Sequence, residues 1–184
     1  MNIIDKALKI PGWTTRNELI KLWEVHSNPD IKKAVEIGAY CGRSTVVIAN
    51  ALNQHGGRLT VIDHFNGSRE HKLNQTIIRN ENIYDEFEKN TSEFANITIL
   101  KIPSQIVNKT HIQYQYDSIF LDSEHDYNSV KRDLNQWMPL TDLMICHDNC
   151  MEWPGVYRAI SERLTQDLKL VWQVESLAAL RRKK

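Results

Sequence analysis

Cysteine is scarce: Cys41, Cys146 and Cys150 are too few, and odd in number, for a disulfide framework. A reducing compartment, the cytosol, is the expected location. Neither charge is in excess, since Lys plus Arg and Asp plus Glu each number 23. No global field therefore draws in nucleic acid or an anionic membrane surface. No apolar run approaches the length of a membrane span, and the stretch from Met1 to Pro11 carries Asp5, Lys6 and Lys9 where a secretory segment would be hydrophobic. The chain is expected to be soluble and unprocessed. Internal repeats and low-complexity segments are also missing. What remains, 184 residues with 41% hydrophobic and 25% charged, suits a single domain with a sizeable core.

Strand-like apolar runs occur at Ala34 to Ile37, Leu59 to Ile62, Ile97 to Ile102, Ser118 to Leu121, Leu143 to Cys146 and Leu168 to Val174. Helix-compatible segments fall at Arg16 to His26, Ser44 to Gln54, Tyr84 to Phe94, Ser104 to His111, Asn128 to Trp137 and Val156 to Gln166. This alternation predicts an α/β fold: a doubly wound, mostly parallel sheet with helices on both faces. Leu177 to Arg181, a tight turn after Val174, predicts an antiparallel edge strand. Residues 1–30 form an N-terminal helical segment, and the irregular insertion from His64 to Asn82, with Arg69, His71, Lys72 and Arg79, is expected to be a lid. Its basic character points to an anionic acceptor. Trp23, Trp137 and Trp172 are read as packing residues.

The chemistry concentrates at strand ends, where an open parallel sheet binds its ligands. Glu36 closes the first strand and runs into the loop Gly38, Ala39, Tyr40, Cys41, Gly42, after which Ser44 and Thr45 open a helix. The loop lacks the third glycine of the dinucleotide fingerprint, and Glu36 suits a cationic or hydroxyl-bearing partner better than a pyrophosphate. That pattern points to S-adenosylmethionine, with Asp63, followed by His64, placed to accept the ribose hydroxyls. Ser104 and Gln105 follow the third strand, where they can cap a helix or read the adenine edge. Asp122 closes the fourth strand and His147, Asp148 and Asn149 the fifth. Adjacent strands are about 4.8 Å apart, so these ends can meet. Oxygen ligands from Asp122, Asp148 and Asn149 suit a hard cation, magnesium, against the alternative that Asp148 and Asn149 merely cap a loop. His125, three residues past Asp122, is placed to act as a base. His147 is expected to point away from Asp148, as a structural or orienting residue. A zinc site using the cysteines lacks paired-ligand spacing.

With these residues identified, the chain resembles the class I S-adenosylmethionine-dependent methyltransferases, in particular the metal-dependent small-molecule O-methyltransferases related to catechol O-methyltransferase. Glu36 to Ser44 is similar to that family's first motif, Asp63 to its ribose position, and Ile102-Pro103-Ser104-Gln105 to its adenine-side segment. Phe120-Leu121-Asp122 and Asp148-Asn149 resemble its metal-binding strand ends, and Pro154-Gly155 follows as in the family. The resemblance implies a Rossmann-like domain. It also implies that Asp122 serves cofactor, cation and reacting oxygen together. His125 falls where catechol O-methyltransferase has a catalytic lysine, which resembles the branch of macrolide-sugar O-methyltransferases and cephalosporin-hydroxylase-like proteins. The proline-glycine-glycine turn usual before the fifth strand is replaced by Pro139-Leu140-Thr141-Asp142.

The expected activity is methyl transfer from S-adenosylmethionine to a small-molecule hydroxyl, a sugar or sugar conjugate, assisted by magnesium. Two alternatives stand beside it: a metal-independent methyltransferase with His125 as base, and a non-catalytic partner protein that binds S-adenosylmethionine. A nicotinamide dehydrogenase fits the glycine spacing poorly.

Overall fold

The computed structural model describes residues 2–67, 82–107, 111 and 115–183. Seven strands form one sheet: β1 (Lys33–Ile37), β2 (Arg58–Ile62), β3 (Ile97–Leu100), β4 (Ser118–Leu121), β5 (Met144–Cys146), β6 (Leu168–Val174) and β7 (Leu177–Arg182). Their order is β3-β2-β1-β4-β5-β7-β6, parallel from β3 to β5. The direction of winding reverses between β1 and β4, and a crevice opens there beyond the carboxyl ends of the strands.

Side chains alternate across a strand, so each buried run feeds two cores. Ala34, Leu59, Val61 and Phe120 enter one core, together with helices α1 (Ile3–Ala7), α2 (Arg16–His26), α3 (Arg43–Asn53) and α4 (Ile83–Thr91). Val35, Ile37, Ile62, Ile119 and Leu121 enter the other, with α5 (Tyr127–Trp137) and α6 (Pro154–Gln166). Trp137 is fully buried in that second core, while Trp23 and Trp172 pack against the first. Thr15 caps α2 by accepting from Glu18 N–H, and the Glu18 carboxylate returns to Thr15 N–H, a closed capping box. Asp126 caps α5 by accepting from Asn128 and Ser129 N–H. Among the described residues, no helix is long and apolar enough to cross a membrane.

Two expectations need correction. The expected antiparallel edge is there, but the last strand is not its rim: β7 pairs antiparallel with both β5 and β6, and β6 lies outermost. Burial decides this, since Leu177 to Leu180 are all fully buried whereas β6 exposes Lys169, Leu170 and Val171. Of the helix expected from Ser104 to His111, the described part is a single 3-10 turn, Ser104–Ile106, after which Val107 is extended at φ −66°, ψ 127°; residues 108–110 lie outside the described residues. The short α1, capped by Asn2, gave no periodic signal in its five residues. The lid expectation for the insertion falls mainly on residues 68–81, outside the described residues.

The tightest constraint lies at the crevice floor. Asp122 N–H donates to Ile37 C=O at 2.8 Å, and the next residue, Gly38 at φ +85°, lies so close that a Cβ there would stand 1.9 Å from Asp122 O. Only glycine fits both the conformation and the space. Gly38→Ala is expected to lower stability by about 3 kcal/mol in urea unfolding. Gly56→Ala, with φ +75° but nothing within 4 Å of its Cβ, should cost only about 1 kcal/mol.

Candidate active site

The loop after β1 is shaped by left-handed conformations at Gly38, Tyr40 (φ 48°) and Gly42, and Gly42 is the residue from which α3 starts. Two of its amides find their acceptor in the neighbouring loop. Ala39 and Tyr40 N–H both donate to Asp63 Oδ2, at 2.7 and 3.0 Å, and Phe65 N–H donates to Asp63 Oδ1 at 2.6 Å. Asp63 thus ties the loops after β1 and β2 together while still facing the crevice.

Glu36 does something other than expected. It is fully buried, and its oxygens accept hydrogen bonds from Ser44 Oγ and Thr45 Oγ1, at 2.5 and 2.6 Å. It braces the first turn of α3 from beneath and forms no wall of the crevice, so the direct cofactor grip expected of it is not what the structure places there. Burial pushes its carboxyl up from 4.5 to about 8, against the two hydroxyl hydrogen bonds and with the charges of Asp122 and Asp63 adding to the rise.

The crevice encloses about 300 Å³. Gly38, Ala39, Tyr40 and Ser44 line one side, Asp63 and His64 another, and Ser104 and Gln105 a third. Gly42 and Asn149 do not line it. Two tryptophans that carried no sequence signal do: Trp13, packed on Tyr40 with ring centroids 5.2 Å apart, and Trp153. The loop bearing Trp13 is held by Arg43, whose Nε and Nη1 donate to Ile10 and Thr14 carbonyls at 2.8 and 3.1 Å.

Acidic and imidazole groups meet at the far end. His125 Nε2 lies 2.9 Å from Asp148 Oδ2, and the His125 ring stacks on Trp153 at 4.1 Å. Gly155 packs against the same loop, where a Cβ would come within 2.3 Å of His125 O. His147 Nδ1 is 3.2 Å from both Asp122 Oδ1 and Asp148 Oδ2, and its Nε2 is 3.1 Å from Glu18 Oε2. The expectation that His147 points away from Asp148 is therefore corrected. Asp148 adopts φ +59°, which turns the chain and lets consecutive side chains converge. Burial disfavours charge on the His147 ring, but Asp122, Asp148 and Glu18 outweigh it and raise the imidazole well above its ordinary value. Burial likewise opposes ionisation of Asp148, yet the imidazoles of His125 and His147 beside it hold its carboxyl well below the usual range. Glu18 follows the same pattern and, through His147, Ser176 and Thr15, is held down at about 2.

Residues 35–148 match the family described as a methyltransferase domain. The chain belongs to that family. Solved methyltransferase structures share its fold. SAH-bound PaMTH1 from Podospora anserina superposes with a TM-score of 0.70 over 99% of this chain and 86% of its own, at 13% identity. The O-methyltransferase NovP gives 0.71 over 94% and 84%, at 16% identity. CalS11, a TDP-rhamnose 3'-O-methyltransferase of calicheamicin biosynthesis, gives 0.60 over 91% and 81%, at 14% identity.

In this methyltransferase domain the candidate metal-capable group among the described residues is Asp122, His125 and Asp148, whose ligand atoms lie within 4.8 Å of one another. No cysteine takes part. Asn149 is buried and donates from Nδ2 to Gln173 Oε1 at 3.2 Å, while its Oδ1 has no hydrogen-bond partner.

The buried Glu36 makes stability depend on pH. Its value in the folded chain is above its unfolded value, so its contribution is complete below about pH 4.5 and is lost as pH rises through about 8. Glu36→Gln is expected to remove that part of the decline, read as urea midpoints across the range. An identical slope in the variant would count against a buried neutral acid.

Proposed function

We propose that this chain transfers a methyl group from S-adenosylmethionine to a hydroxyl of a small molecule, a sugar or sugar conjugate, in the cytosol. The observation that carries the reading is the polarity of one crevice. A loop-and-carboxylate end built from Gly38 to Ser44 and Asp63 faces an acid-and-imidazole end built from Asp122, His125 and Asp148. The first end suits the adenosyl and methionyl parts of the donor: Asp63 retains lone pairs for ribose hydroxyls, and Ser104 or Gln105 stands beside the adenine. Between them, Tyr40, Trp13 and Trp153 offer aromatic faces of the kind that line small-molecule sites and stack on ring substrates. The sugar assignment draws on the fold shared with CalS11, which acts on TDP-rhamnose.

The residues fit a divalent cation. Asp122 and Asp148 would hold it, with Asn149 Oδ1 available as a buried acceptor that lacks any other partner. This oxygen set suits magnesium. A cation there supplies Lewis acidity to an acceptor hydroxyl. His125 is the base: its Nε2–H donates to Asp148 Oδ2, 2.9 Å away, and that carboxylate stabilises the imidazolium formed when the ring takes the hydroxyl proton. Trp153 and Gly155 hold that ring in place, and the crevice walls fix the acceptor in line with the donor methyl.

The same 2.9 Å contact favours one second reading, in which Asp148 only orients His125 and no metal takes part. Methyl transfer to a panel of sugar and phenolic acceptors, assayed with magnesium and with chelator, separates the two. Activity is expected to require the cation, and equal rates in chelator would reject its role. His125→Ala should slow turnover about 10²- to 10⁴-fold. Asp148→Ala should abolish metal-dependent turnover and spare S-adenosylmethionine binding in calorimetry. A chain that takes up no S-adenosylmethionine would overturn the whole reading.

A further inference from the structure

The geometry points to a nitrogen ligand in the cation site: His147, through Nδ1, joins Asp122 and Asp148, Glu18 holds the ring in the tautomer this needs, and the site prefers a transition-metal dication to magnesium. This rests on the metal reading above and changes the ion it selects.

Three observations carry it. The His147 side chain is 4% exposed, and Nδ1 lies 3.2 Å from one oxygen of each aspartate, yet it makes no directed hydrogen bond to either. Donor atoms about 2.1 Å from a shared ion, in neighbouring octahedral positions, stand about 3.0 Å apart, so these separations are those of ligands around one centre. Secondly, the opposite ring nitrogen is already committed. Nε2 faces Glu18 Oε2 at 3.1 Å, and Glu18, itself 1% exposed, also accepts from Thr15 N–H, Ser176 N–H and Ser176 Oγ at 2.9, 3.0 and 2.6 Å. An ionised carboxylate only accepts, so Nε2 carries the hydrogen and Nδ1 can present a lone pair to an ion that takes the place of its proton. A metal-binding histidine that donates its other N–H to a carboxylate is the recurrent arrangement by which proteins orient such rings. Thirdly, the left-handed φ of +59° at Asp148 turns the chain where it must turn for His147 and Asp148 to face one point.

The donor set then holds oxygen and imidazole nitrogen together. Magnesium favours oxygen ligands and keeps its waters, whereas imidazole suits iron, cobalt, nickel, copper and zinc. His125 Nε2, 2.9 Å from Asp148 Oδ2, is the imidazole of the group Asp122, His125 and Asp148 described above, so the test must tell it apart from His147.

The full chain is loaded with Mn²⁺ after incorporation of ¹⁵N-histidine and read by pulsed electron paramagnetic resonance, and its affinities for Co²⁺ and Mg²⁺ are measured by calorimetry. Wild type and His125→Ala are expected to show coupling to a directly bound histidine nitrogen, and His147→Gln to lose it. The preference for Co²⁺ over Mg²⁺ should fall at least tenfold in His147→Gln, and Co²⁺ affinity should fall about 10- to 100-fold in Glu18→Gln. Absence of coupling in wild type, its loss in His125→Ala, or its survival in His147→Gln overturns the assignment. If a buried variant does not fold, the comparison of wild type with His125→Ala still decides. Magnesium-dependent turnover without histidine coupling would defeat this inference alone. Methyl transfer in chelator, with no cation bound, would defeat the metal reading beneath it.

Discussion

Two strand ends that touch without any side chain between them set the position of everything else in the crevice. Gly38 leaves β1 against the backbone of Asp122, which leaves β4, and the contact is too close for a Cβ. It brings the loop after β1 within reach of the acidic end. Asp63 extends the same logic sideways by taking amides of the neighbouring loop, and Glu36 does so from below by holding Ser44 and Thr45. These two carboxylates therefore organise backbone or helix before either meets any ligand. Groups held this rigidly are what let weak individual contacts orient a reaction.

The acidic end is braced by both termini of the described chain. Glu18 from α2 touches His147 and Ser176, and Ser176 C=O accepts from Asn149 N–H at 2.9 Å. Gln173 of β6 reaches the Asn149 side chain, and Glu175 accepts from Thr15 and Asn17 at the start of α2. The capping box of one helix and the turn of one hairpin thus close on the three-residue segment His147, Asp148 and Asn149. Burial of so many charged and polar side chains is tolerable because each keeps at least one partner, although Asn149 Oδ1 has none.

Much of this was legible from residue order. The parallel strands were readable because apolar runs end in Glu36, Asp63 and Asp122, and α2 because its apolar spacing begins just after Thr15. The position of β7 was not, since a hairpin can add either strand to the sheet and the outcome depends on which buries more apolar surface. The orientation of His147 was hidden by the left-handed backbone at Asp148, a conformation that an aspartate does not announce. Trp13 and Trp153 sit in loops, where no periodicity marks a wall residue. The Thr15 to Glu18 spacing does carry a capping-box signal, but nothing in it reveals that the same carboxylate reaches a buried imidazole.

The Glu18 to Ser176 link joins residues that leave the ribosome far apart in time. The two residues stand 158 positions apart in the sequence, so the hydrogen bonds around that buried carboxylate are complete only when the turn between β6 and β7 has closed on the first turn of α2.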